Sequence, residues 1–179
     1  MSVASVAARI ARRVCDVEDV GYSQPDRRTW YSVADWEGHV KSPQNADCSS
    51  LVCGAVNYGL HDALGVPWGH KALLEIDDFW TGNMRGGLEA RGFQEVPWED
   101  ASLYPDGGFQ TGDVVLSVAS EGGKGHVVII TDAANDLLSE AWIAEDGSID
   151  GYLGDQTGGE TRTVPYSSHP YTSSGAWTS

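Results

Sequence analysis

The sequence is poor in three features that define large classes of proteins: cysteine, basic residues and long apolar runs. Its three cysteines (Cys15, Cys48 and Cys53) are too few for a disulfide framework, and no cysteine or histidine spacing is typical of a zinc site. Eleven Lys and Arg against 26 Asp and Glu give a net charge of −15, which excludes the basic surface of a nucleic-acid-binding protein. No apolar run approaches the roughly 18 residues of a membrane helix. We therefore expect no metal, no cofactor, no nucleic-acid partner and no membrane contact.

The N-terminal segment lacks the order of a secretory signal. Arg9, Arg12 and Arg13 interrupt or follow its alanines and valines, whereas a signal places its charges before an apolar run. This pattern predicts synthesis in the cytoplasm, with reduced cysteines. The chain has 179 residues, 41% of them apolar, enough to build one core. We expect residues 1–179 to form a single domain and a monomer.

Apolar periodicity predicts helices in the first half of the chain and strands in the second, an α+β fold with an antiparallel sheet. Helices are expected over 2–15, 48–60 and, in one or two pieces, 71–91 with a stop near Gly92. Strands are expected at 114–118, 126–131, 138–143 and 161–164. Residues 16–46, rich in Gly, Pro, Ser, Asp and Asn, are expected to form a long loop, and the tail from Ser167 to add no element.

Cys48 is the best candidate for a nucleophile. It follows Asp47, a good N-cap, at the point where the predicted loop becomes a helix. The unpaired N–H groups and the positive dipole end of a helix N-terminus stabilise a thiolate and an oxyanion. Most cysteines are simply buried, and Cys15 and Cys53, on the apolar sides of predicted helices, are interpreted in that way.

A cysteine nucleophile needs a base, and His126 is the best placed of the five histidines. It follows a glycine-rich segment and begins the apolar run of a predicted strand. The other histidines fall in predicted loops or, for His169, in the tail. If strands 126–131 and 138–143 form a hairpin, Glu140 can lie beside His126 and orient it. Glu145 is a competing candidate for this role, and Asp113 a weaker one.

Several segments together resemble a known family. Residues 47–52 (DCSSLV), with 112–115 (GDVV) and 125–129 (GHVVI), resemble the nucleophile and histidine motifs of NlpC-type, papain-like cell-wall peptidases. Residues 21–24 (GYSQ), 140–142 (EAW) and 154–158 (GDQTG) resemble one branch, the bacteriophage peptidoglycan hydrolases also called amidase type 5. The matching segments span roughly residues 21 to 163, in the family's order.

The resemblance implies a papain-like fold, with N-terminal helices packed on a central antiparallel sheet. It implies an endolysin catalytic domain without its wall-binding module, which hydrolyses an amide bond of peptidoglycan. Cys48 then matches the nucleophile and His126 the base, and Glu140 stands where the superfamily often has a third polar residue, commonly histidine. The residues expected to contact substrate are Tyr22, Gln24, Asp47, Ser49, Asp155 and Gln156. For Asp155 the alternative is a turn held by its side chain.

Several alternatives stay open at this stage. The cut falls either between muramic acid and L-alanine or inside the peptide stem after D-glutamate. A metal-dependent amidase would need two histidines and a carboxylate or cysteine, and no such spacing is present in the sequence. A wall-binding module without activity and a papain-like transferase or deamidase are the other two hypotheses.

Overall fold

The computed structural model describes residues 1–96, 108–118, 125–143 and 152–169. Within these ranges the chain is α+β, with helices preceding an antiparallel sheet as predicted. The helices are α1 (Val3–Asp16), α2 (Thr29–Val33), α3 (Cys48–Leu64) and α4 (Met84–Glu89). The strands are β1 (Val20–Tyr22), β2 (Gln44–Ala46), β3 (Val114–Ser117), β4 (His126–Asp132), β5 (Leu137–Ala141) and β6 (Thr161–Pro165).

The two long helices have well-defined ends. Helix α1 begins with a capping box between Ser2 and Ser5. Helix α3 begins with the same arrangement between Asp47 and Ser50 and ends at Gly65, whose φ of 70° suits a residue without a side chain. The two helices pack along each other and cover one face of the sheet. None of the helices in the described ranges combines the length and apolar character needed to cross a bilayer.

The main sheet has the order β3-β4-β5-β6, with every neighbouring pair antiparallel. Alternation along β4 divides the core, because successive side chains of a strand point to opposite faces. Val127 and Ile129 join the core formed with α1 and α3. Val128 and Ile130 form a smaller cluster on the other face. His126, at the start of β4, is two residues before Val128, so it belongs to this second face of the strand.

The prediction of one long loop over residues 16–46 was wrong. Strands β1 and β2 in this segment form a parallel two-stranded sheet, and the short helix α2 lies between them. Every residue of both strands is buried, so neither strand shows an alternating pattern. Strands of three residues are also too short for periodicity to reveal them.

The predicted helical segment at 71–91 contains only the short helix α4. Turns occupy most of the residues before it, and the Arg91 side chain stabilises them by donating to the carbonyl oxygens of Ala72 and Leu73 at 2.7 and 2.8 Å. Gly92, with φ of 87°, lies just after the helix as expected. The remaining strands and helices agree with the predicted ones to within a few residues.

Candidate active site

Cys48 is the first residue of α3. The backbone N–H of Ser50 donates to Asp47 Oδ1 at 2.7 Å, and the Asp47 N–H donates to the Ser50 hydroxyl at 2.9 Å. A guanidinium nitrogen of Arg27 lies 3.4 Å from Asp47 Oδ2. Asp47 is only 5% exposed, and burial raises the pKa of its carboxyl although Arg27 and Ser50 act in the opposite direction. Asp47 therefore holds the helix end that carries the thiol.

The thiol of Cys48 lies in a nearly closed site. It is 6% exposed, and burial together with the charge of Asp47 raises its pKa to about 12. Hydrogen bonds from the backbone N–H of Val127 and from Ser49 oppose this rise. The resting group is thus a neutral thiol, which needs a base before it can act as a nucleophile. Its contact with Val127 places the sulfur at the strand position next to His126.

His126 and Glu140 are paired as the hairpin hypothesis predicted. Strands β4 and β5 are antiparallel neighbours, and His126 Nε2 lies 2.6 Å from Glu140 Oε2. An ionised carboxylate can only accept hydrogen bonds, so Nε2 carries the proton in this contact. The pair therefore fixes one tautomer of His126 and leaves proton transfer to Nδ1.

Glu140 is the most enclosed charge of the site, with no exposed surface. Its Oε1 accepts from Arg162 Nε at 2.8 Å, and His169 Nε2 lies 3.2 Å from Oε1 and 3.0 Å from Oε2. Burial alone would raise its pKa, but hydrogen bonds from His126 and His169 and their charges lower the pKa to about 2. Glu140 is therefore ionised at any ordinary pH.

His169 is a residue of the site that the sequence did not indicate. It follows β6, is 2% exposed and reaches the same carboxylate as His126. The two imidazole rings lie nearly parallel, with centroids 6.3 Å apart, and Trp142 packs edge-on against both. No sequence motif marks His169, because its position depends on how the chain turns after β6.

The same three residues have the chemical types of a metal site. The ligand atoms of His126, Glu140 and His169 all lie within 4.8 Å of one another. Bonds of about 2.0–2.2 Å in tetrahedral geometry would hold neighbouring ligand atoms more than 3 Å apart. The contacts of 2.6 and 3.0 Å are instead hydrogen-bond distances, and Arg162 adds a positive charge at the carboxylate. The observed geometry suits a hydrogen-bonded carboxylate better than a metal centre.

Tyr22 lies close enough to Cys48 for the two groups to influence each other, and Gln24 bonds to Tyr22. The Tyr22 hydroxyl bonds to the Gln24 side chain, and burial followed by the nearby Cys48 and Asp47 raises its pKa. Gln24 itself is exposed. Ser49, which is 3% exposed, bonds to Cys48. Tyr22 is thus near the thiol and Gln24 is next to Tyr22, whereas Ser49 and Asp47 are buried at the start of the helix.

The side chains of Asp155 and Gln156 form hydrogen bonds within their own loop. Asp155 Oδ1 accepts from four successive backbone N–H groups, those of residues 157–160, at 2.7 to 3.3 Å. Gln156 Nε2 donates to the carbonyl oxygens of Leu153 and Gly154. Asp155 therefore holds a turn with its side chain, which is the alternative to substrate contact that the sequence left open for this residue.

This loop supports β1 and β2. Gly154 N–H donates to Asn45 Oδ1 and to the Gln44 carbonyl oxygen, and Glu160 accepts from the Tyr22 N–H at 2.8 Å. A side chain at Gly21 would collide with the Gly154 carbonyl oxygen at 1.9 Å. The segment 154–160 therefore holds the strand that carries Tyr22 against the rest of the site.

Replacing Asp155 by alanine is expected to lower the free energy of unfolding by about 1–3 kcal/mol, because four N–H groups lose a charged acceptor. Asp155→Asn retains one acceptor oxygen and should lose less. Urea unfolding followed by tryptophan fluorescence measures both. Equal stability of wild type and Asp155→Ala would contradict this structural role.

The remaining candidates are Asp113, Glu145 and the other two cysteines. Asp113 caps a turn before β3, where its Oδ2 accepts from the Gln110 N–H at 2.8 Å. Glu145 lies outside the described residues. Cys53 is fully buried in the core of α3, and Cys15 is partly buried; burial raises the pKa of both thiols. Since the pKa of Cys48 is raised too, the feature that distinguishes Cys48 is its place at the N-terminus of α3.

A thiol at a helix N-terminus and a histidine–carboxylate pair on the sheet that this helix packs against are groups suited to nucleophilic catalysis. The comparison with protein families gives the class: the endolysin-like domain matches residues 1–136, and the chain belongs to this family. Membership indicates lysis of the bacterial cell wall, with peptidoglycan as the substrate. The match contains Cys48 and His126 and ends before Glu140. No curated protein and no solved structure matches the chain.

Proposed function

We propose that this domain is the catalytic part of a phage-type endolysin and cleaves an amide bond of the peptidoglycan stem by a cysteine mechanism. One observation carries the proposal: Cys48 is the first residue of α3, α3 packs against β4, and β4 begins with His126, whose Nε2 lies 2.6 Å from Glu140 Oε2. The helix-on-sheet arrangement is the one expected of a papain-like fold, which is part of the same proposal.

In the proposed reaction the Cys48 sulfur attacks the amide carbonyl carbon while its proton moves to Nδ1 of His126. Glu140 stabilises the imidazolium that forms. The imidazolium then protonates the leaving amine, and the carbon–nitrogen bond breaks to give a thioester. Water adds to the thioester, and loss of the thiol releases a carboxylic acid and regenerates the enzyme.

The N-terminus of α3 supplies an oxyanion site in this scheme. The first N–H groups of a helix have no partner within it and carry the positive end of the helix dipole. The Ser50 N–H is already used by Asp47 and the Ser49 N–H by the Cys48 sulfur, so the N–H group of Cys48 is the candidate. Tyr22, near the thiol, and Gln24, next to Tyr22, are proposed to contact the peptide stem.

Two bonds are compatible with this site, the one between muramic acid and L-alanine and the one after D-glutamate in the stem. The net charge of −15 suits a substrate with a free amino group, which favours cleavage within the stem. The test is incubation with purified sacculi from several Gram-positive species, with new termini identified by mass spectrometry. A free lactyl group with new N-terminal alanine indicates an amidase, and a new amine on the third stem residue indicates an endopeptidase.

Absence of either product on every wall would contradict the proposal. It would favour a wall-binding module or, if protein glutamine is deamidated instead, a papain-like deamidase.

A metal-dependent amidase is the second candidate, because the structure brings together the two histidines and the carboxylate that such an enzyme needs. The two mechanisms respond oppositely to two reagents. Cleavage of sacculi that stops with iodoacetamide and persists in EDTA supports the cysteine mechanism. Cleavage that stops in EDTA, returns with Zn²⁺ and persists after alkylation supports the metal mechanism.

A further inference from the structure

We propose that His169 is a positioning residue of the cysteine mechanism. It holds the Glu140 carboxylate so that Oε2 stays directed at His126. The inference rests on the proposed function. His169 lies beyond the part of the chain that matches the family, and nothing in its sequence context points to a role. The contact that links it to His126 most directly is the shared Glu140 carboxylate.

The hydrogen bonds at Glu140 are divided between its two oxygens. Oε2 accepts from His126 at 2.6 Å, and Oε1 accepts from Arg162 at 2.8 Å. His169 Nε2 lies between the two oxygens, at 3.0 and 3.2 Å. A donor that bridges both oxygens opposes rotation of the carboxylate, and it keeps Oε2 directed at His126.

Arg162 makes this restraint necessary. Its side chain is 28% exposed and stacks on Trp142, with the guanidinium carbon 4.6 Å from the ring centroid. Because the Arg162 side chain is partly exposed, it can move, and it carries a full positive charge. Without His169, Glu140 would be drawn towards Arg162 at the expense of the bond to His126. The buried His169 Nε2, which contacts both carboxylate oxygens, opposes this movement.

The segment that carries His169 is fixed independently of its imidazole ring. The Tyr166 N–H donates to the Asp136 carbonyl oxygen at 3.1 Å, and the Ser167 N–H donates to the Asp136 carboxylate at 2.8 Å. The His169 N–H donates to the Tyr166 carbonyl oxygen at 3.2 Å. Substitution of the ring therefore leaves these anchors in place, and its effect on the site can be separated from loss of the turn.

The test compares His169→Leu, which removes the donor, with His169→Gln, whose amide can still donate to a carboxylate. On sacculi, His169→Leu is expected to lower kcat roughly 10- to 100-fold with KM unchanged, as expected for a misplaced catalytic group. His169→Gln should recover most of the loss. Equal loss in both variants, or a loss confined to KM, would overturn the proposal.

A double-mutant cycle with Glu140→Gln separates positioning from a general structural role. If His169 acts through Glu140, then His169→Leu should lower kcat no further in the Glu140→Gln background. Additive losses would show that His169 acts independently and would overturn the proposal. Loss of activity in EDTA with recovery in Zn²⁺ would also overturn it, because the three residues would then be metal ligands.

A second readout does not depend on the substrate. The rate of Cys48 alkylation by iodoacetamide, located by mass spectrometry, reports on the thiol and its base even if no wall is cleaved. Positioning predicts slower alkylation in His169→Leu and in Glu140→Gln, with no further slowing in the double variant. Unchanged alkylation in His169→Leu, alongside slowed alkylation in Glu140→Gln, would overturn the role of His169. Failure of the proposed function would instead appear as missing wall products.

Discussion

Cys48→Ala is expected to abolish hydrolysis of sacculi, with a loss of at least about 10³-fold, while the domain stays folded. The reaction needs a nucleophilic sulfur at the start of α3, and alanine supplies none. The cap formed by Asp47 and Ser50 uses groups that the substitution does not touch, so the helix should still begin at residue 48. Release of new termini and far-ultraviolet circular dichroism measure the two expectations.

Cys53→Ala is the matched control for this prediction. It makes the same chemical change in the same helix, at a residue that is fully buried and packed in the core. A small cavity should cost it about 1–2 kcal/mol of stability but leave cleavage intact. Cleavage that survives in Cys48→Ala, or that is lost equally in Cys53→Ala, would contradict the assignment of the nucleophile.

Glu140→Ala is expected to cause the largest loss of stability, about 3–5 kcal/mol, as well as loss of activity. Three donors, from His126, His169 and Arg162, meet at this one carboxylate, and its removal leaves buried polar groups without their charged partner. Glu140→Gln keeps the size and one acceptor oxygen, so it should lose less stability. Urea unfolding measures both, and a loss below about 1 kcal/mol for Glu140→Ala would contradict the role of this carboxylate.

The same carboxylate predicts a dependence of stability on acid. Its pKa is about 2 in the folded protein against an ordinary value of 4.5. A lowered pKa stabilises the fold fully above pH 4.5, and the stabilisation disappears as the pH falls towards 2. The difference corresponds to about 3 kcal/mol.

Urea unfolding at about pH 5 and about pH 3 should therefore show a steeper loss in the wild type than in Glu140→Gln. Glu75→Gln, which changes an exposed carboxylate, serves as the control and should follow the wild type. Parallel curves for wild type and Glu140→Gln would contradict the lowered pKa.

Local signals were sufficient to predict the centre of the candidate site. The capping pattern of Asp47 and Ser50 marks the start of α3, and the apolar run after His126 marks β4. Since strands that follow each other after a short turn usually pair, the contact between His126 and Glu140 could be predicted from sequence positions alone. The roles of Cys48, His126 and Glu140 in catalysis remain a proposal.

Two parts of the site could not be predicted, because tertiary contacts create them. Strands β1 and β2 have no periodic pattern, and the loop at 154–160 holds them from more than 100 residues away. His169 reaches Glu140 only because the chain after β6 folds back onto the turn between β4 and β5. Neither arrangement leaves a pattern that a window of neighbouring residues can contain.

The long sequence separations at β1 also bear on how the protein folds. Tyr22 bonds to Glu160 across 138 residues, Val20 to Thr161 across 141, and Asn45 to Tyr152 across 107. Contacts between residues so far apart in the sequence form slowly, because a large loop must close before any of them contributes to stability. Helices α3 and α1 can form early from nearby residues. The surroundings of Cys48 cannot be complete until residues 152–169 have been synthesised, so a partly made chain has the thiol without the rest of the candidate site.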